Sequence, residues 1–141
     1  MIWALILTAI IAYLLGSISF SIIFTKKFAG FDVRQKGSGN AGSTNVLRTA
    51  GKKPAILTLI CDVLKGVVAV LVAFLMGKIA NADVWNAALL IQIAGVCVVL
   101  GHTFPIFFGF KGGKGVATAL GVLLITNWQI GLICLVFALV L

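Results

Sequence analysis

Charge is the first thing this sequence lacks. Only 10% of its 141 residues are Asp, Glu, Lys or Arg, where a soluble domain of this size carries about a quarter. With 62% of the residues hydrophobic, too little polar surface exists to cover a globule in water, and composition alone assigns the chain to the membrane class. Acids are the scarcest: Asp32, Asp62 and Asp83 are the only three, too scattered for paired-carboxylate catalysis. His102 is the single histidine. No HExxH and no Cys–His set occurs, so neither a metal site nor a cofactor has support. Cys61, Cys97 and Cys134 each lie inside an apolar run and form no CxxC pair, so they read as small apolar fillers and not as a disulfide framework. Also missing is a soluble basic domain interleaved with exposed aromatics. That disfavours nucleic acid as a partner despite a formal net charge of +8. No tandem repeat is evident, and residues 1–141 read as one membrane domain.

What is present is a series of apolar runs. Roughly 20 apolar residues cross a hydrocarbon core, and about five hydrophobic segments can be marked: Met1 to Phe24, Pro54 to Gly77, Val84 to Leu100, Val116 to Thr126, and a fifth that begins after Asn127. The expected fold is therefore all-α, a polytopic helical membrane protein. No positive charge precedes the first run, so it is not a signal peptide. The last run is shorter than a comfortable span, and the chain is expected to be incomplete at its C-terminal end.

Two polar segments separate these runs. Lys26–Lys53 holds seven of the eleven basic residues, and Gly101–Gly115 is glycine-rich. The positive-inside rule places both in the cytoplasm and the N-terminus outside. Trp3, Trp85 and Trp128 fall at the opposite ends of the runs, where indole rings favour the interface, and give the same orientation without using charge.

The first constellation is Lys36-Gly-Ser-Gly-Asn-Ala-Gly-Ser-Thr-Asn45, followed by Arg48. Its glycines let backbone N–H groups approach a ligand closely. Ser38, Asn40, Ser43, Thr44 and Asn45 add hydrogen-bonding groups, and Arg48 adds a planar cation suited to phosphate oxygens. A G-x-G-x-x-G is embedded in it, but a Rossmann fingerprint needs a preceding strand, and here a membrane span precedes. The competing reading is a flexible, solvated loop. The second constellation is Asp62 and Lys65, which at i and i+3 share a helix face. They form either a structural ion pair or a substrate contact, unless Lys65 snorkels to the interface.

The third runs from Gly101-His-Thr-Phe-Pro105 to Phe110-Lys-Gly-Gly-Lys-Gly-Val-Ala-Thr118. Pro105 breaks the helix. Gly112, Gly113 and Gly115, with Lys111 and Lys114, precede the next apolar run, which makes an anion site at a helix N-terminus. The spacing is not that of a Walker A loop, and Gly115 stands where Ser or Thr would hold magnesium. His102 is placed to serve as a base, a phosphate donor or a structural residue. A cationic, glycine-rich cytoplasmic mouth on a membrane bundle suits chemistry built on positioning and neutralising phosphates.

Read together, these strings and Leu-Leu-Gly-Ser-Ile at 14–18 resemble the bacterial acyl-phosphate:glycerol-3-phosphate acyltransferase family, in the family's order and over nearly the whole chain. The resemblance implies an acyl-phosphate-dependent glycerol-3-phosphate 1-O-acyltransferase in the bacterial cytoplasmic (inner) membrane, its active site facing the cytoplasm. It would move a fatty acyl group from acyl-phosphate to the 1-hydroxyl of glycerol 3-phosphate, giving lysophosphatidate and phosphate at the entry to phospholipid synthesis. Neither acyl-CoA nor a metal would take part, and the partners would be these two substrates and membrane lipids. By position, Gly112–Gly115 with Lys114 and Thr118 look like the acyl-phosphate cradle, and Ser38, Asn45, Arg48 and Lys111 like glycerol 3-phosphate contacts. Lys36, Asn40 and Thr44 complete the candidate binding set, with His102, Ser38 and Arg48 as the catalytic candidates. Two departures stand out: Ser19-Phe-Ser21 lies where family members often have Pro and Gly, and the family's third motif, with a glutamate, does not occur in this chain. A transporter for a phosphorylated metabolite and a non-catalytic lipid-binding subunit are the alternative readings.

Overall fold

The computed structural model describes residues 1–140. They form seven α-helices, and no strand occurs among the described residues: α1 (Ile2–Ser17), α2 (Phe20–Ala29), α3 (Ser43–Ala50), α4 (Lys52–Ile79), α5 (Val84–Thr103), α6 (Val116–Thr126) and α7 (Trp128–Val140). Three segments are long and apolar enough to cross a membrane: Ile2–Ala29, Lys52–Ile79 and Val84–Phe108. The shorter apolar helices α6 and α7 make up the five hydrophobic segments expected from the sequence.

The first span differs from its expected form. It does not stop at Phe24 but runs to Ala29, and it is broken at Ile18 and Ser19, between α1 and α2. Neither residue is proline or glycine, so the cause of the break is tertiary. The ammonium of Lys65, on α4, donates to the carbonyls of Gly16 and Ile18, both at 2.9 Å. Those carbonyls lie at the end of α1, where no intrahelical donor remains for them. Lys65 also pairs with Asp62 at 3.3 Å and is only 4% exposed. The snorkelling reading of Lys65 is thereby corrected: buried carbonyls and a buried carboxylate hold the charge inward.

The bundle packs through small residues. A Cβ added at Gly16 would lie 2.0 Å from the Val98 carbonyl oxygen, and one at Gly101 would lie 2.2 Å from that of Tyr13. α1 and α5 therefore touch backbone to backbone, the close approach that small residues allow where hydrocarbon offers no hydrophobic drive. Ala4, Ala12, Ala69, Ala73 and Ala94 continue this interior, with Leu90 and Val98 the larger members. Large apolar side chains such as Leu71, Phe74, Val96 and Phe137 point outward, the inverse of a water-soluble fold.

Chain direction alternates from segment to segment. Consequently the α2–α3–α4 connection, the α5–α6 connection and the N-termini of α3, α4 and α6 gather at one end. The exposed Trp3, Trp85 and Trp128 belong to the other end. A second small core of Ile22, Val33, Ala41, Val46 and Ala55 fastens the first connection to the bundle.

Candidate active site

At the glycine-rich end lies an open cavity of about 430 Å3. Ser38, Asn40, Gly42, Ser43, Thr44, Asn45 and Arg48 form one wall, Lys114, Gly115, Val116 and Ala117 the other, with Asp62 and His102 between them. Three constellations far apart in sequence thus meet in one place.

Residues 36–45 are not a loose loop. Asn45, buried at the start of α3, organises them from inside. Its carboxamide nitrogen lies 3.1, 3.0 and 3.1 Å from the carbonyls of Val33, Lys36 and Asn40, and its oxygen accepts the Ser38 N–H at 3.1 Å. Gly37, at φ +57°, passes so close that a Cβ would fall 2.1 Å from Asn45 Oδ1. From α2, the Ser21 hydroxyl donates to the Ala41 carbonyl at 2.9 Å. The segment unread as a helix in the sequence, Ser43–Ala50, is α3.

The second loop is held differently. Gly112 and Gly113 donate to the Thr103 and His102 carbonyls at 3.0 and 3.3 Å, turning the chain back on the end of α5. Gly113 is buried where the two loops meet: a Cβ there would lie 2.6 Å from His102 Nε2 and 2.7 Å from the Ala41 oxygen. Farther out, the Tyr13 hydroxyl donates to the Phe104 carbonyl at 2.7 Å, and the Ile106 N–H donates to Ser17 Oγ at 3.3 Å.

The electrostatics follow from the helix ends. α3 and α6 both begin at the cavity, without a side-chain cap and without an acid in the first turn. The first N–H groups of each helix have no intrahelical acceptor and carry the positive end of the helix dipole. Two such ends, with Arg48 and Lys114 beside them, concentrate positive potential on the cavity. Acceptors are present too. Asn40 Oδ1 and Asp62 Oδ1 are buried and without a hydrogen-bond partner, although the Lys65 ammonium lies 3.3 Å from the latter. A buried acceptor left unmatched costs about 1–3 kcal/mol, so Asn40 Oδ1 is ready for a hydroxyl donor, and Asp62 Oδ1, paired with the Lys65 ammonium, keeps lone pairs for one.

His102 is 6% exposed. Its Nδ1 lies 3.5 Å from Thr118 Oγ1 and 3.8 Å from Asp62 Oδ1. Among the expected residues, Ser38, Asn40, Thr44, Asn45, Arg48, His102, Lys114 and Gly115 line the cavity. Thr118 stands behind His102, and Gly112 and Gly113 form the turn beneath. Lys36 and Lys111 do not line it: Lys36 lies over the Phe31 ring, 4.2 Å from its centroid, and Lys111 is exposed on the rim. No group of three or more potential metal ligands occurs among the described residues.

Sequence reasoning missed Asp32 and Arg34. The Arg34 guanidinium bonds the carboxylate of Asp32 and reaches the carbonyls of Phe108 and Lys111 in the second loop. Hydrogen bonding from Arg34 holds the Asp32 carboxyl below the usual carboxylate range and raises Arg34 in turn. The pair is therefore ionised at neutral pH. A readable signal was present: Asp two residues before Arg, the Asp side chain free to accept from the N–H of that Arg, as it does at 2.9 Å.

The glycerol-3-phosphate acyltransferase family profile matches residues 6–141. A glycerol-3-phosphate acyltransferase of Clostridioides difficile (strain 630) is 52% identical over 140 residues, which cover 99% of this chain and 67% of that protein. The one from Cereibacter sphaeroides (strain ATCC 17029 / ATH 2.4.9) is 51% identical over 132 residues, 94% of this chain and 61% of that protein. Among solved structures, PlsY (YgiH), an integral membrane glycerol 3-phosphate acyltransferase in its glycerol 3-phosphate form, superposes with a TM-score of 0.76 at 45% identity. That match covers 92% of this chain and 60% of PlsY. The lysophosphatidic acid form matches with a TM-score of 0.74 at 44% identity. The chain spans about 60 to 67% of the length of these relatives.

Proposed function

The chain belongs to the glycerol-3-phosphate acyltransferase family, and on that footing we propose that it is the acyl-phosphate-dependent enzyme. In the proposed reaction the 1-hydroxyl oxygen of glycerol 3-phosphate attacks the carbonyl carbon of a fatty acyl-phosphate. The new C–O ester bond forms, the bond from that carbonyl carbon to the oxygen bridging to phosphorus breaks, and inorganic phosphate leaves with the electron pair. The hydroxyl proton passes to the departing phosphate or to His102 at the cavity floor. The products are lysophosphatidate and phosphate.

The observation that carries this reading is the convergence of two uncapped helix N-termini on one cavity. Two phosphates must be held at once, one on each substrate, and one helix end for each answers that need. The N-terminus of α6, with Lys114 and the Gly112–Gly115 turn, would cradle the acyl-phosphate. The N-terminus of α3, with Ser38 and Arg48, would take glycerol 3-phosphate, and Asn40 Oδ1 and Asp62 Oδ1 would accept its hydroxyls. Thr44 lies on that same wall. Asn45, Lys36 and Lys111 would act from behind or at the rim. Preorganised donors of this kind act where charge grows on the leaving phosphate. An acyl chain would leave the cavity sideways, along the apolar outer face of the bundle. PlsY, so similar in fold, is described in glycerol 3-phosphate and lysophosphatidic acid forms, a substrate and a product of this reaction.

The charge bias and the tryptophan end support a site facing the cytoplasm from a bacterial inner membrane, within one membrane-embedded domain. The deciding experiment uses the protein as its gene encodes it, reconstituted in liposomes with glycerol 3-phosphate and either acyl-phosphate or acyl-CoA. Phosphate release that requires acyl-phosphate and glycerol 3-phosphate together, with lysophosphatidate appearing, is the expected result. Passage of glycerol 3-phosphate into the vesicles without acyl transfer would replace this reading with transport.

A further inference from the structure

One charged side chain joins the two phosphate-handling loops without lining the cavity between them. Arg34 belongs to the short 3-10 turn Val33–Gln35, and its side chain is 24% exposed. Nε and Nη2 donate to the Asp32 carboxylate at 3.1, 3.2 and 2.7 Å. Nη1 donates to the carbonyl of Phe108 and, at 3.1 Å, to that of Lys111. Neither carbonyl accepts a backbone N–H among the described residues, so Arg34 is their protein partner. The turn is fixed from its other side as well, because Asn45 donates to the carbonyls of Val33 and Lys36. It is therefore a joint: its inner edge is bonded to the wall that carries Ser38 and Arg48, its outer edge to the loop that leads to Lys114.

We propose that Asp32 and Arg34 form a latch that sets the spacing of the two phosphate-binding walls, acting as positioning residues for capture of glycerol 3-phosphate without touching it. This rests on the acyltransferase reading above. The carboxylate keeps the guanidinium in one orientation, and the planar fork then serves a carboxylate and two carbonyls at once. An ammonium has neither the plane nor the reach to do so. Without the latch, the segment from Phe104 to Lys111 keeps as hydrogen bonds those to Tyr13 and Ser17 and its own turns, with Phe108 packed on the small core of the first connection. The stretch 106–111 that leads to Lys114 is then held less firmly against the wall bearing Arg48, although Gly112 and Gly113 still anchor its far end to α5. A wall that must be re-ordered when substrate binds weakens capture of glycerol 3-phosphate, because the ordering cost falls on the binding step and not on the chemistry.

The test compares wild type, Arg34→Gln, Arg34→Lys, Asp32→Asn and the double variant Asp32→Asn/Arg34→Gln in liposomes. Hydrogen exchange of residues 104–113 is followed without substrate, and steady-state kinetics with glycerol 3-phosphate varied. Faster exchange is expected around residues 108–111 for both Arg34 variants. KM for glycerol 3-phosphate should rise roughly 10-fold while kcat stays within about 3-fold, the pattern of lost ground-state binding. The double variant should be no worse than Arg34→Gln alone, since both remove one shared interaction. Arg34→Lys carries the test if Arg34→Gln does not fold. Exchange and KM of Arg34→Lys equal to wild type would overturn the latch, because charge alone would then suffice. A fall in kcat at constant KM would overturn it too. If the wild type transfers no acyl group, the acyltransferase reading fails, and the exchange data alone still decide whether the latch exists.

Discussion

The two loops that wall the cavity reach order by opposite means. The first, residues 33–48, is knit from within: one buried carboxamide, Asn45, gathers three carbonyls and one N–H of its own loop. The second, residues 104–115, folds back on the end of α5 through its glycines, and its outer part is pinned by Arg34, Tyr13 and Ser17 from elsewhere in the chain. A polar loop at a membrane surface can thus be ordered by an internal hub or by outside straps. The choice decides how damage spreads. Loss of the hub should loosen one loop throughout, whereas loss of one strap should loosen only the stretch it holds.

Gly113 is the point at which the comparison can be broken outright, because there the loops touch. Gly113→Val would drive side-chain atoms into His102 Nε2 and the Ala41 carbonyl, each under 3 Å from the first carbon added. The walls would be forced apart, and activity should fall by roughly 100-fold or more, as it does when reacting groups are misplaced by about 1 Å. Near-normal acyl transfer by this variant would remove the cavity from the mechanism.

Asn45→Ala tests the hub. It leaves several loop carbonyls without their donor, and each buried group so stranded costs about 1–3 kcal/mol. The detergent-solubilised protein should melt at a lower temperature, with faster hydrogen exchange throughout residues 33–42 and little change at 106–111. Equal loosening of both loops would show that they order as one unit.

The same contrast separates what was legible in the sequence from what was not. Apolar runs and the position of each polar segment were legible because burial in hydrocarbon leaves a long, unmistakable run. His102, Arg48, Ser38 and Lys114 were legible as candidates because cations and glycines cluster beside them. The break at Ile18 was not, since it has no local breaker and depends on an ammonium 47 residues away. α3 was hidden because Ser, Thr and Asn in a glycine-rich stretch favour turns locally, and only Asn45 and the packing of Val46 settle it as a helix. Arg34 looked like one of many topological charges. Its role rests on carbonyls 74 and 77 residues further on, a pairing no spacing rule shows.

Arg48→Lys sharpens the comparison at the first wall. Arg48 lines the cavity with no hydrogen bond to the protein among the described residues, so the substitution leaves the hub intact and changes only what the loop offers a ligand. Losing the bidentate fork while keeping the charge should raise KM for glycerol 3-phosphate by roughly 10-fold. The melting temperature and the exchange of residues 33–42 should not move. A drop in stability would make Arg48 part of the loop's framework.

Tyr13→Phe has the smallest expected effect and isolates a single strap. The ring stays in place and only the 2.7 Å bond to the Phe104 carbonyl is lost, worth about 0.5–1.5 kcal/mol for an ordinary hydrogen bond. Phe104 sits at the end of α5, next to the turn over Pro105, while the Arg34 attachments lie farther along at Phe108 and Lys111. Exchange should therefore quicken near residues 104–106 and stay unchanged at 108–111 and across 33–42. KM for glycerol 3-phosphate should rise less than it does when Arg34 is altered. If Tyr13→Phe instead loosened the whole second loop, its straps would act together, and the distinction between a hub and separate straps would not hold.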